Sequence, residues 1–260
     1  MFGTVTLGVL LPFIGTTLGA ATVFLFKEQM PSRLKTFLLA FASGIMLAAA
    51  VWSLILPAEE LSLHLGEFQW LPPVVGFAFG MLFLLALDVF APDQLVFKKK
   101  PSALRSVLGD SGLLFFSVTL HNIPEGMAVG AVFAGLLAME TRISIAMALS
   151  LSFGMSIQNF PEGAIISLPL RANGNSRGKA FAFGSFSGIV EPISALITIA
   201  CSKWILPILP YFLSFAAGAM VYVVAQELIP ESCQKSHKVI SVLGLTLGFS
   251  LMMVLDMAFG

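Results

Sequence analysis

Residues 75–90 read VGFAFGMLFLLALDVF, and residues 243–259 read LGLTLGFSLMMVLDMAF. Gly76, Gly80 and Asp88 of the first stretch match Gly244, Gly248 and Asp256 of the second at a single offset of 168 residues. Small residues four apart are common wherever membrane helices pack closely, so the glycines alone would say little. The aspartate at the same offset says more, and a second pair of stretches agrees. FASGIM from Phe41 resembles FAAGAM from Phe215, and each run continues to a proline followed by acid, Pro57 with Glu59 and Glu60, then Pro230 with Glu231. Gly15 and Gly19 also match Gly184 and Gly188, 169 residues apart. A sequence that repeats itself at such distances predicts two homologous groups of helices.

The composition sets these groups in a bilayer. Hydrophobic residues make up 57% of the 260 positions and charged residues 11%, with 24 Phe, which leaves too little polar surface for a soluble globule. Apolar runs between breakers predict eight transmembrane helices: Val5 to Phe26, Leu34 to Ala58, Val74 to Ala91, Gly112 to Ala138, Ile143 to Leu170, Ala180 to Cys201, Ile205 to Pro230 and Val239 to Phe259. With the N-terminus outside, the inward loops hold Lys27, Arg33, Lys35, Lys98, Lys99, Lys100, Arg105, Arg171, Arg177, Lys179, Lys235 and Lys238, against Arg142 and Lys203 outside. Twelve against two is the asymmetry expected of cytoplasmic loops, and skipping one span would scramble it. Both termini are therefore expected to be extracytoplasmic. The second and seventh spans then run in opposite directions, as do the third and eighth, which makes the repeats inverted.

The expected fold is an all-α polytopic membrane protein of one transporter-like domain, residues 1–260, in a 3+2+3 arrangement. Residues 1–91 form the first triplet, 92–111 a cytoplasmic loop, 112–170 a central helix pair and 171–260 the second triplet. Inverted repeats around a polar midplane site are a recurrent transporter signature. The first span lacks a basic start and a convincing small-residue cleavage site, so it is read as a helix and not a signal peptide. Cys201 and Cys233 fall on opposite membrane sides in this topology, so no disulfide joins them. A formal net charge of zero gives no argument for a nucleic-acid partner.

The central pair carries a repeated motif, HNIPEG at 121–126 and QNFPEG at 158–163, and the sixth span carries GSFSGIVEPISA from Gly184. Glu125, Glu162 and Glu191 thus share one depth. Three uncompensated charges there would cost roughly 8–10 kcal/mol, and no Lys or Arg lies in these span cores, so the offset comes from protons or from a metal ion. Spacing favours the metal. His121 and Glu125 are four residues apart, as are Gln158 and Glu162, so each pair stacks on one helix face and two opposed faces make a four-ligand cage. Asn122 and Asn159, one residue further round, direct amide oxygens to a neighbouring position that Glu125, Glu162 and Glu191 also reach. Pro124 and Pro161 each free a carbonyl one turn back, tolerable in lipid only beside a cavity, water or ion. Gly126 and Gly163 admit another backbone closely.

Other polar residues have plainer readings. Asp88 and Asp256, at opposite span ends, are interfacial or helix-packing residues; His64 and His237 lie in loops. The site contains no sulfur ligand, which argues against Cu+ and fits Zn2+, Fe2+, Mn2+ or Cd2+. A membrane-embedded zinc hydrolase would commonly need two or three His at the metal, and only His121 lies at depth; no HExxH or Ser/His pair appears in the spans, so no enzyme is expected. A proton-coupled organic-solute carrier could use the same carboxylates without needing the doubled ligand pairs.

HNIPEG, QNFPEG and SGIVEP on successive spans resemble the ZIP (Zrt/Irt-like) family of divalent metal transporters, in particular its GufA-like branch. The resemblance covers essentially the whole chain. It implies uptake of a divalent transition metal, zinc first, into the cytosol, with the metal as bound substrate and no cofactor. It implies a two-metal site: His121, Glu125, Gln158 and Glu162 resemble the ligands of one position, and Asn122, Asn159, Glu191 and the two bridging glutamates those of the other. It also implies a secondary exit-side contact at Gln226 and Glu227, a homodimer, and a multi-pass protein of the cell membrane. Many family members have His or Asp where this chain has Gln158 and Asn159, so its cage holds fewer charged or imidazole ligands. The inward loop, with Lys99 and Lys100 but no His, also departs from the family's His-rich version.

Overall fold

The computed structural model describes residues 2–25, 31–90, 103–139, 143–233 and 237–259, without the side chains of 87–90, 103–114, 116, 117, 120, 121 and 259. Among the described residues every regular element is helical. The N-terminal helix α1 (Phe2–Ala21) ends in a single 3-10 turn, Thr22–Phe24. Next come α2 (Ser32–Ala49), a π-helical stretch Ala50–Ile55 and α3 (Leu56–Leu61), which join into one rod, Ser32–Leu61. A 3-10 segment, Leu63–Phe68, leads to α4 (Leu71–Phe90). The central helices are α5 (Ala103–Leu137) and α6 (Ile145–Ala172).

Beyond them lie α7 (Arg177–Phe186), α8 (Val190–Ala200), the short α9 (Ser202–Ile205) with a 3-10 turn Leu206–Ile208, and α10 (Leu209–Val223). A second π-helical stretch, Val224–Leu228, runs into α11 (Ile229–Ser232), and α12 (Lys238–Phe259) closes the chain. Among the described residues five stretches are long and apolar enough to cross a membrane by themselves: Phe2–Phe24, Ser32–Leu61, Arg177–Ala200, Ser202–Ser232 and Lys238–Ala258. The chain is a polytopic helical membrane protein.

Helix termini follow local chemistry. Ser144 caps α6 by accepting from the Met147 amide at 3.0 Å, and Ser176 caps α7 by accepting from Lys179 at 3.3 Å. Pro124, Pro161 and Pro169 sit inside α5 and α6, which run through them without interruption. The sixth expected span does not run through: three turn residues, 187–189, divide it into α7 and α8. His64 lies on the 3-10 segment, exposed, with Nδ1 near the Leu61 carbonyl, and His237 bonds Ser32 across the start of α12.

Small residues set the helix pairing. Gly76 and Gly80 of α4 rest on the carbonyls of Tyr211 and Phe215 in α10, while Gly218 of α10 rests on the carbonyl of Phe77. On the other side Gly244 and Gly248 of α12 rest on the carbonyls of Phe37 and Phe41 in α2, and Gly44 of α2 rests on that of Leu245. Each residue of the first set is carried onto the second by the sequence offsets, 168 residues between α4 and α12 and 174 between α2 and α10. The two π-helical stretches begin at Ala50 and Val224, again 174 apart. Outward faces are apolar: Val74, Phe79 and Leu82 of α4 and Val242, Leu247 and Val254 of α12 are exposed. The interior is filled by Ala, Leu, Ile and Met together with buried Ser and Thr.

Candidate metal site

Where α5, α6 and α8 meet, the apolar interior gives way to a layer of amides and carboxylates. Two glycines allow the close helix approaches around it. Gly126, closing the first motif, lies against the Glu191 carbonyl and Ser194 Oγ of α8; Gly163, closing the second, lies against the Thr16 carbonyl of α1. A Cβ at either position would collide with backbone, so these contacts require glycine. The close approach read from the motifs is therefore present, and it recruits α1, which the motifs did not implicate.

Within the layer Asn122, Gln158 and Asn159 are fully buried, and Glu125 and Glu191 are each 1% exposed. Gln158 Nε2 donates to Glu125 Oε1 at 3.0 Å. Asn159 Nδ2 donates to Glu191 Oε2 at 2.7 Å, with a longer 3.4 Å contact to the Pro12 carbonyl. Asn122 Nδ2 donates at 3.2 Å to the Ser187 carbonyl, which the α7–α8 break leaves beside the layer. All three amides thus have their NH2 groups tied down. Their oxygens, Asn122 Oδ1, Gln158 Oε1 and Asn159 Oδ1, are buried without a hydrogen-bond partner among the described residues, as is Glu125 Oε2.

Chemically this is a site that presents acceptors. A buried oxygen with no donor carries a desolvation penalty of about 1–3 kcal/mol, and four of them in one layer need a donor or a cation. The bonds fix the orientation of each amide, so that oxygen and not NH2 is left open. Glu191 differs from Glu125: its Oε2 takes the Asn159 amide and its Oε1 takes the Thr16 hydroxyl at 3.2 Å. It also stands in the first turn of α8, where a helix N-terminus favours negative charge. Glu162 is 7% exposed and within electrostatic range of both Glu125 and Glu191.

The expected site residues are thus brought together in part. Glu125 with Gln158, and Asn159 with Glu191, are in direct contact; Asn122 and Glu162 border them. The side chain of His121 lies outside the described residues. Among those described, no three His, Cys, Asp or Glu converge closely enough to hold a metal by themselves, so any cage here relies on amide oxygens. Gln226 and Glu227 lie on the π-helical stretch Val224–Leu228, Gln226 exposed and Glu227 half-buried. Asp256 is buried and accepts from Ser53 Oγ at 2.6 Å, which makes it a helix-packing residue; the Asp88 side chain lies outside the described residues. Thr16 escaped the sequence reading. Its position between Gly15 and Gly19, on the face that packs against α6, was the available signal.

Comparison with known proteins fits this arrangement. The ZIP zinc transporter family model matches residues 96–256. The chain belongs to the ZIP family. Zinc transporter ZIPB of Bordetella bronchiseptica is 35% identical, covering 99% of this chain and 82% of its own length. Zinc transporter ZIP11 of Xenopus tropicalis is 33% identical over 98% of this chain and 96% of its own, and zinc transporter GufA of Myxococcus xanthus 34% over 80% and 81%. The GufA-like branch is the right one, and ZIP membership makes this a transporter-family protein and not an enzyme. The ZIP match takes in α5, α6 and α8 with every motif residue; Thr16 lies before it, within the part of the chain that ZIPB and ZIP11 cover.

Proposed function

We propose that the protein carries divalent transition-metal ions, zinc first, across the cell membrane into the cytosol. The observation that carries this reading is the buried layer in which three amide oxygens and one carboxylate oxygen stand open while every amide NH2 is engaged. Such a layer suits a cation, and among the described residues its amide donors are already engaged. The names of ZIPB, ZIP11 and GufA, each a zinc transporter, support the choice of metal. His121, Glu125, Gln158 and Glu162 would hold one ion and Asn122, Asn159, Glu191 and the shared glutamates a second, with Gln226 and Glu227 meeting the ion on its way out.

The proposed frame is eight spans in a 3+2+3 order, both termini extracytoplasmic, as a homodimer. The mirrored glycine contacts of α4 on α10 and α12 on α2 support inverted triplets, since one rotation in the membrane plane would exchange them. Two halves so related can exchange inward-open and outward-open roles about a fixed site. The test is uptake of radioactive zinc into proteoliposomes. Wild-type uptake abolished by the E125A/E162A double variant is expected; undiminished uptake in that variant would sink the site assignment. A wild-type protein that ignores every divalent ion but moves an organic solute with protons would establish the carrier reading instead.

A further inference from the structure

On the C-terminal side of the buried layer, α6 keeps one face open. Ile165, Pro169, Ala172 and Asn173 follow Gln158 and Glu162 at spacings of three and four residues, so they continue the same helix face. They line a cavity of about 240 Å³ whose opposite wall includes Lys35 of α2. Lys35 is the charged residue among the described residues lining it. Its Nζ is drawn aside by Glu231 of α11, with Nζ to Oε1 at 2.6 Å and the two side chains 38% and 27% exposed. By the charge bias of the loops this cavity faces the cytosol, where basic residues concentrate.

We infer that Glu231 masks Lys35 so that the cavity on the ligand face of α6 can release a divalent cation. The inference rests on the transport reading above. A bare ammonium on the wall would repel a doubly charged ion over the full width of so small a cavity, where screening by water is incomplete. Basic residues near cytoplasmic helix ends follow from membrane topology, and a cation exit placed among them needs its local charge cancelled. Glu231 acts through Lys35 and is a positioning residue, not a ligand.

The test measures zinc uptake in proteoliposomes for the wild type, E231Q, K35Q/E231Q and the charge-swapped K35E/E231K. E231Q should lower the maximal rate roughly three- to tenfold with little change in half-saturating concentration, because release and not binding is obstructed. Raising the internal salt from about 10 mM to about 1 M, which shortens the screening length from about 30 to about 3 Å, should close most of that gap. K35Q/E231Q and K35E/E231K should both transport near the wild-type rate. If the pair were only structural glue, the doubly neutral variant would be at least as slow as E231Q, and that result overturns the inference. So does an E231Q rate equal to wild type. A wild type that moves no metal overturns the transport reading itself, whereas an active wild type with an indifferent E231Q refutes this inference alone.

Discussion

Replacing Thr16 by valine changes almost nothing in shape and removes one donor. The hydroxyl meets Glu191 Oε1 at 3.2 Å, and Glu191 in turn holds the Asn159 amide at 2.7 Å, so its loss loosens the group that keeps Asn159 Oδ1 turned toward the site. Hydrogen bonds to charged acceptors contribute about 1.5–3 kcal/mol in proteins generally, but those between side chains in membrane bundles average about 0.6 and reach about 1.7. The ranges overlap near 1.5 kcal/mol, which corresponds to about tenfold in affinity and agrees with the lower end of the cost of losing a partner behind a metal ligand. Calorimetric titration of the detergent-solubilised protein with zinc should show T16V about tenfold weaker than wild type. T16S, which keeps the donor, should lie within about threefold. An affinity of T16V within twofold of wild type, or T16S as weak as T16V, would show that α1 does not help to set the site.

Three further outcomes are expected. Gly80→Ala and Gly248→Ala each press a methyl group onto a backbone carbonyl, Phe215 in one case and Phe41 in the other; both should lower stability by about 1–3 kcal/mol, whereas Gly178→Ala, in open space on the helical backbone of α7, should escape any such clash. Thermal unfolding in detergent reads this, and a benign Gly248→Ala would deny the close α2–α12 contact. Gln158→His should tighten metal binding and slow turnover, since an imidazole replaces a neutral amide opposite Glu125; titration and uptake on one preparation check both signs. Ser53→Ala strands the buried Asp256 Oδ1 and should cost about 1–3 kcal/mol in the same unfolding assay, with Asp256→Asn/Ser53→Ala no worse than the single change.

Helix positions were legible because apolar runs and their breakers are local properties of the chain. Most expected spans lie within about three residues of the helices at each end, the exception being α5, which starts at Ala103 and not near Gly112. What the pattern missed is non-local. The α7–α8 break falls inside an apolar run, SFSGIVEP, whose small residues only permit a turn; what occupies it is the Asn122 amide from a helix 65 residues away. The π-helical stretches at Ala50 and Val224 leave no mark in hydropathy, although they share the offset by which α2 and α10 repeat each other. Gln158 and Asn159 were named as ligands from their spacing, yet their amide orientation depends on Glu125 and Glu191, and on Thr16 behind Glu191. A helical period cannot report such a chain of partners.

The glycine contacts also set a timetable for synthesis. α2 carries Gly44 and a row of small buried residues whose backbone partner is α12, and about 180 residues separate the end of the Ser32–Leu61 rod from the start of α12. At ribosomal speeds of about 5–20 residues per second, α2 waits about ten to forty seconds in the bilayer before its partner exists. Meanwhile its small-residue groove faces lipid or other nascent helices. A ribosome that stops before Lys238 therefore leaves a product whose α2 lacks its α12 partner, and membrane quality control would meet a missing C-terminus as an exposed groove near the N-terminus.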